Sequence, residues 1–515
     1  MNIAIFTHLG DFYQPSLAYY QACEKTHNIR GISHMKSFYI ISLTILTTVF
    51  LTFISACGGG GSTTPPPAGA GGDDGTSPTL PDLITASYML DADEDGDLDI
   101  ILGTQGDPVR TTDILLINNG TGQFTIKENA FPDHHLGTGG STINIASADF
   151  NNDGHADIVA ATNDARDATF DDTIQLHLYF GNGDGTFSDG TPNITDGLLT
   201  EYPEWIRVGD FDGDGAIDFL ITANGCQGVN DCHGGRIFLN DGSGNFAVAS
   251  ITSTDAERNY TDTRLIWESD GNSFPEEGST RFALDVFVDD MNNDGKPDFI
   301  APNGYAGGPV LVSFINTSTP GNLTFDIVYN LYDTSDPFVG PFTKNGVLMD
   351  INNDGIKDVV TSQSISGQGG ITTPVYAFIS QGNGLFAEDN SVFSPSQPGV
   401  EHARQWVTDD FNQDGFDDLL VADHGLDASP FPGHKNILLI NDGSGTLEDV
   451  TANNLSVLSA FTHGASSGDL NGDGFPDLFL NNSDIDQNSS FSAEKEARLW
   501  INDGDGSFTS RDLGL

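Results

Sequence analysis

The chain has 515 residues, of which 74 are acidic and 19 are Lys or Arg, for a formal charge of −55. That charge repels both the phosphate backbone of DNA or RNA and the anionic face of a bilayer, which excludes nucleic-acid binding. A hydrophobic content of 37% with 34 Phe suffices for a core and excludes a disordered acidic chain, while 61 Gly argue against a helical bundle.

At the amino end, Met35 and Lys36 open a short positive region, residues 38–53 are apolar, and Ile54, Ser55 and Ala56 precede Cys57. Residues 35–57 resemble a bacterial lipoprotein signal peptide, whose lipobox cysteine, here Cys57, is acylated and becomes the first residue. An uncleaved transmembrane helix is the alternative, since about 18 apolar residues just span a bilayer. Residues 1–34 have no counterpart in that pattern and fit a start codon placed too far upstream. Residues 58–79, rich in Gly, Pro, Ser and Thr, read as a flexible tether of about 25 Å. Gly58 stands where an Asp would favour inner-membrane retention, so the resemblance implies a domain anchored by lipid to the outer membrane. Loss of residues 1–57 leaves 16 basic and 72 acidic residues, so the acidity belongs to the mature domain. In an oxidising compartment, Cys226 and Cys232 are spaced to close one loop as a disulfide. The two thiols with His233 make an incomplete zinc set.

A nine-residue element, D-x-[DN]-x-D-G-x-x-D, then recurs seven times. Its oxygen-bearing positions 1, 3, 5 and 9 are Asp91, Asp93, Asp95 and Asp99 in the first copy, and Asp149, Asn151, Asp153 and Asp157 in the second. The third has Asp210, Asp212, Asp214 and Asp218, and the fourth Asp290, Asn292, Asp294 and Asp298. Asp350, Asn352, Asp354 and Asp358 form the fifth, and Asp410, Asn412, Asp414 and Asp418 the sixth. Asp469, Asn471, Asp473 and Asp477 complete the series. The copies start 58, 61, 80, 60, 60 and 59 residues apart. Hard oxygen donors at alternate positions around a glycine turn suit Ca²⁺, which predicts up to seven ions, one per repeat. No Glu follows at position 12 and a strand follows instead of a helix, so the loop is not an EF-hand. A single such stretch would read as an Asp/Asn/Gly turn held by its own side chains.

A second element recurs in step, in seven turns starting at Asn118, Gly181, Asn240, Asn316, Ser380, Asn441 and Asn502. Asn-Gly and Asp-Gly between apolar runs mark hairpins. Each repeat is therefore four antiparallel strands: A runs into the acidic loop, B leaves it, and the glycine turn joins C to D. Seven such sheets predict an all-β, seven-bladed β-propeller, because a lone four-stranded sheet leaves both faces wet and ring stacking buries them. On these motifs residues 80–515 resemble the FG-GAP/VCBS repeat family, extracellular propellers also found in integrin α-subunit heads. The first repeat begins with strand A and the last ends with strand D near 507–512, so each blade is expected to be one contiguous segment without strand exchange.

The A–B loops and C–D turns share one face and keep their lengths. On the opposite face the B–C and D–A connections vary: 18 to 25 residues separate an acidic loop from the next turn, and 28 to 50 separate a turn from the next loop. Variable loops on a rigid scaffold are where binding usually resides. Candidate ligand residues on that face are Glu204, Trp205, Arg207, Lys344, His402, Arg404, Trp406 and His463, with the insertion 247–279. An acidic sugar or a carboxylate is the ligand such cations would take. Packing of the two Trp between blades and pairing of the charges with Asp is the alternative. No zinc-protease helix, phosphate loop or free Cys nucleophile is present. One G-x-S-x-G match, Gly464 to Gly468, runs into an acidic loop where a nucleophile elbow needs a helix. The expected function is a calcium-stabilised cell-surface protein binding an extracellular polysaccharide or an envelope protein. An extracellular polysaccharide lyase or hydrolase on this scaffold, and an envelope scaffold subunit, are the alternatives.

Overall fold

The computed structural model describes residues 84–104, 113–132, 141–163, 174–195, 202–224, 236–249, 251–255, 258–262, 286–302, 311–330, 343–363, 371–426, 432–455, 459–482, 498–513 and 515. The signal segment, Cys57, the tether, Cys226 and Cys232 lie outside them. Among the described residues no helix is long and apolar enough to cross a membrane.

Seven antiparallel blades follow one another along the chain, each four strands deep and built from one contiguous segment. Blade 1 comprises β1 (Ile84–Leu90), β2 (Asp99–Thr104), β3 (Ile114–Asn118) and β4 (Phe124–Lys127). Blade 2 has β5 (Ser141–Ala148), β6 (Asp157–Asn163), β7 (Ile174–Gly181) and β8 (Phe187–Asp189). Blade 3 has β9 (Tyr202–Gly209), β10 (Asp218–Asn224), β11 (Arg236–Asn240) and β12 (Phe246–Val248), and is followed by a hairpin of β13 (Ile251–Asp255) and β14 (Arg258–Asp262). β15 (Phe287–Asp289), β16 (Asp298–Pro302), β17 (Leu311–Asn316) and β18 (Leu323–Asn330) form blade 4. Blade 5 has β19 (Thr343–Met349), β20 (Asp358–Gln363), β21 (Thr373–Gly382) and β22 (Leu385–Glu388), with short β23 (Phe393–Ser394) and β24 (Gly399–Val400) after it. Blade 6 has β25 (Ala403–Asp409), β26 (Asp418–Asp423), β27 (Ile437–Asn441) and β28 (Leu447–Asp449). β29 (Thr462–Gly468), β30 (Asp477–Asn482), β31 (Arg498–Asn502) and β32 (Phe508–Arg511) form blade 7.

The B strands are near-continuous apolar runs because both of their faces meet a neighbouring blade; every residue of β2, β26 and β30 is buried. The core accordingly lies between blades. Among the described residues it divides into seven clusters, one at each junction. Ile100, Leu116 and Phe124 of blade 1 pack on Leu470, Phe479 and Leu499 of blade 7, which closes the ring. Polar ties cross the same seam: Asn481 Nδ2 donates to the Ile84 carbonyl at 2.8 Å, and Ser87 Oγ and Ser466 Oγ are 3.1 Å apart. Among the described residues closure is therefore by packing and hydrogen bonds, with no strand exchanged.

The chain leaving blades 1, 2, 3 and 5 runs beside the outermost strand of the next blade. The Ala130 carbonyl accepts from Phe187 N at 2.8 Å, Ile194 bridges Phe246 in parallel, β13 pairs in parallel with β18, and β23 with β28. The insertion expected on the loop face thus contributes β13 and β14 as extra strands on the outer edge of blade 4.

Candidate functional site

Each acidic loop is organised by its own side chains. The position 1 carboxylate accepts from the backbone N of the position 6 glycine at 2.6–3.1 Å in all seven loops. That glycine lies at positive φ, between 83 and 96°. Position 4 is also left-handed, at Glu94, Asn152, Gly213, Asn293, Asn353, Gln413 and Gly472, with φ between 55 and 76°.

The position 9 aspartates, Asp99, Asp157, Asp218, Asp298, Asp358, Asp418 and Asp477, have no exposed surface. Their Oδ2 atoms accept from the backbone N of position 2 of their own loop at 2.9–3.0 Å. Their Oδ1 atoms accept from the first residue of the C–D turn at 2.6–2.9 Å. Loop and turn are thereby held on one face. Burial pushes these carboxyls up, to about 6 in Asp99, Asp157, Asp298, Asp358 and Asp477 and about 7 in Asp218 and Asp418; backbone donors pull the other way and loop carboxylates add to the rise.

In the first and third loops carboxylate oxygens of Asp91, Asp93 and Asp99, and of Asp210, Asp212 and Asp218, lie within 4.8 Å of one another. Asp91 Oδ1 and Asp93 Oδ1 are buried without a hydrogen-bond partner. Such a set fits a hard divalent cation. The remaining loops carry Asn at position 3, whose Oδ1 accepts from the position 5 backbone N where it is seen in Asn151, Asn292, Asn352, Asn412 and Asn471.

On the ring axis a cavity of about 530 Å³ follows the A strands. Trp205, Arg207, Arg404, Trp406 and His463 all reach its wall, from blades 3, 6 and 7. Arg207 is anchored there: Nε donates to the Val286 carbonyl at 3.0 Å, Nη1 to the Ile206 carbonyl at 3.1 Å, and the guanidinium lies 5.0 Å from the Trp205 ring centre. Trp406 lines that cavity while being 7% exposed and packed within the core between blades 5 and 6. His402 is also withdrawn from the surface, at 4% exposure, with its ring 4.1 Å from that of His424. Apolar packing between blades accounts for the first, and contact with His424 across the β25–β26 pair of blade 6 for the second. Glu204 and Lys344 sit in β9 and β19 at the start of the A strands, and their side chains lie outside the described residues. The Gly464–Gly468 match lies within the continuous strand β29, so it forms no nucleophile elbow.

Two recurrent residue types were not singled out by the sequence reading. The turn asparagines Asn118, Asn240, Asn316, Asn441 and Asn502 each donate from Nδ2 to a loop carbonyl of the preceding blade, those of Leu470, Phe150, Phe211, Asp350 and Phe411, at 2.7–3.2 Å. Their recurrence at the head of five of the seven turns was the available signal. Position 2 of every loop is apolar and buried, and in two loops its ring packs edge to face on the turn Phe of the next blade, Phe150 on Phe246 at 5.4 Å and Phe411 on Phe508 at 5.5 Å.

Comparison with curated proteins finds no match. Among solved structures, that of the V. cholerae biofilm matrix protein Bap1 aligns over 84% of this chain and 83% of its own, with 13% identity and a TM-score of 0.26. A likeness that distant has no bearing on what either protein binds. The family model for the FG-GAP-like repeat matches residues 91–160, 161–221 and 410–480, so the chain carries FG-GAP-like repeats in a seven-bladed propeller.

Proposed function

We propose that this chain is a cell-surface binding protein in which calcium holds the propeller rigid while the face of the B–C and D–A connections takes a polysaccharide or protein ligand. The observation that carries the reading is the axial cavity, where Trp205, Arg207, Arg404 and His463 from three blades meet in a chain of charge −55. Concave sites of roughly 300–1,000 Å³ with a few convergent polar groups are the usual form of a ligand pocket.

Positions 1, 3, 5 and 9 of each loop are the residues that would hold calcium. The clustered carboxylates of loops 1 and 3 and the unpartnered oxygens of Asp91 and Asp93 support that choice. Bound there, the ion supplies the positive charge that the buried carboxylates otherwise lack. Lipid anchoring at Cys57 in the outer membrane belongs to the same reading and rests on the signal segment alone; labelled palmitate incorporated by the wild type and lost in Cys57→Ser is its test.

The full chain in detergent, screened against arrays of glycans and purified envelope proteins with calcium and with EDTA, tests the function. A specific glycan or protein bound only with calcium is expected. Binding to neither array in the presence of calcium overturns the reading.

A further inference from the structure

We propose that the axial cavity is a proton-coupled site for a small carboxylate-bearing ligand, held beside Arg404, and that His463 takes up a proton as the ligand binds. The proposal rests on the reading of this face as the binding face and narrows its ligand.

The residue six places before the first loop aspartate is Lys344 in blade 5, Arg404 in blade 6 and His463 in blade 7. Three successive blades therefore put a basic residue at one level of the A strands, where blade 3 has Glu204, and Arg404 and His463 reach the cavity wall. At an ionic strength of 0.15 M the screening length is about 8 Å, so a short ligand inside the cavity responds to these groups more than to the distant acidic surface. A long polyanion would still meet that surface. This favours a small acid.

His463 cannot swing away. Its ring stacks on that of His424 at 5.5 Å and lies 5.0 Å from that of Phe461, while His424 stacks on Phe461 at 4.6 Å and faces His402 at 4.1 Å. This layer is fixed from behind by Asp423, which accepts from Glu401 N at 2.6 Å, His402 N at 2.8 Å and Gly425 N at 2.9 Å, and whose Oδ2 is 2.8 Å from His434 Nδ1. His463 Nε2 is buried with no hydrogen-bond partner among the described residues.

The groups around His463 decide its charge. Blade 6 contributes Arg404 and His424, with Glu401, His402, Asp423, His434 and Lys435 behind them; β1 of blade 1 contributes Tyr88 and β9 of blade 3 contributes Arg207 to the same cavity. Burial first, then Arg404 and His424, hold the imidazole well below its ordinary range, so it is neutral at pH 7. A carboxylate arriving beside Arg404 reverses the local field and favours the imidazolium. The bound complex thus carries a proton that the free protein lacks. By linkage, affinity rises as pH falls through the bound-state value of His463 and levels off below its free-state value.

Titration calorimetry of the full chain in detergent with calcium, at pH 5.5, 6.5 and 7.5 and in two buffers of different ionisation enthalpy, tests this. Methyl glucuronide, methyl glucoside and succinate are the probes. Binding of glucuronide or succinate is expected, with none of glucoside, with up to one proton taken up and an affinity gain of up to about tenfold per pH unit. Glucuronide alone binding identifies a sugar acid; succinate binding as well identifies a general carboxylate site. His463→Gln should abolish the pH slope, and Arg404→Gln the binding itself. Proton uptake is measured on the wild type, so the test survives a variant that fails to fold. Binding without proton uptake, or uptake that persists in a folded His463→Gln, overturns the coupling and leaves the binding reading intact. Failure of both acids to bind while the arrays yield a ligand overturns this site; silence in the arrays as well removes the binding reading.

Discussion

The aspartate that closes each loop has both carboxylate oxygens engaged by backbone donors and no surface in contact with water. Its raised affinity for a proton fixes the sign of a pH effect. For a metal-free chain the folded state binds the proton more tightly than the unfolded state, whose aspartates titrate near 3.9. The contribution of these seven groups to stability is therefore greatest below about pH 4 and is lost as pH rises through about 6 to 7. Urea unfolding in EDTA between pH 7.5 and 5 should show a midpoint that rises as the pH falls; a midpoint that drops over that range would refute the assignment. At position 6 the geometry is stricter. Gly355 has a φ of +83° and no atom within 4 Å of where a Cβ would stand, so Gly355→Ala pays only for backbone strain, about 1–2 kcal/mol. Gly355→Asn should lose less, because Asn tolerates the left-handed region better.

Between neighbouring elements the turn asparagines are the clearest ties. Asn240 Nδ2 donates to the carbonyls of Phe150 in blade 2 and Ile217 in its own loop, at 2.7 and 3.0 Å. Asn240→Ala leaves the buried Phe150 carbonyl and the partly buried Ile217 carbonyl without that donor and should destabilise by about 1–3 kcal/mol, read as a shift in urea midpoint at unchanged slope. Gly181 heads the corresponding turn of blade 2, where a Cβ would lie 2.3 Å from the Ala156 carbonyl, so no Asn fits there. This level also shows what the sequence made legible. Loops, turns and strands repeat at a fixed period, and period-two alternation and turn chemistry are local signals. The parallel pairing of β13 with β18 was not legible, because loop length says where a connector starts and ends and nothing about which open strand edge it finds. Trp406 shows the same limit: it lines the axial cavity and also packs between blades 5 and 6, and only the neighbouring blade decides how much of it is buried.

For the whole molecule, the ring has no framework beyond its seven junctions, and each junction carries one acidic corner. Seven ions would add 14 positive charges to a domain that keeps a large acidic excess, so their main effect is local, at carboxylates brought close together. EDTA should lower the melting temperature by several degrees or more and calcium should restore it, measured by calorimetry; an unchanged melt would count against cation binding. Added monovalent salt should raise the melting temperature of the metal-free chain, because screening relieves repulsion among its acids.

The sequence by itself determined the number of blades, the strand order within them, and the face shared by acidic loops and glycine turns, since each is written in spacing and residue type along one contiguous stretch. Tertiary structure alone decided which side chains meet. Arg404 and His463 come from different blades and Arg207 from a third; their convergence on one cavity depends on how the ring closes and on the register of the A strands. The stacking of His424 on His463 arises in the same way, because the packing of blade 6 on blade 7 sets it, whereas His402 meets His424 across the β25–β26 pair of a single blade.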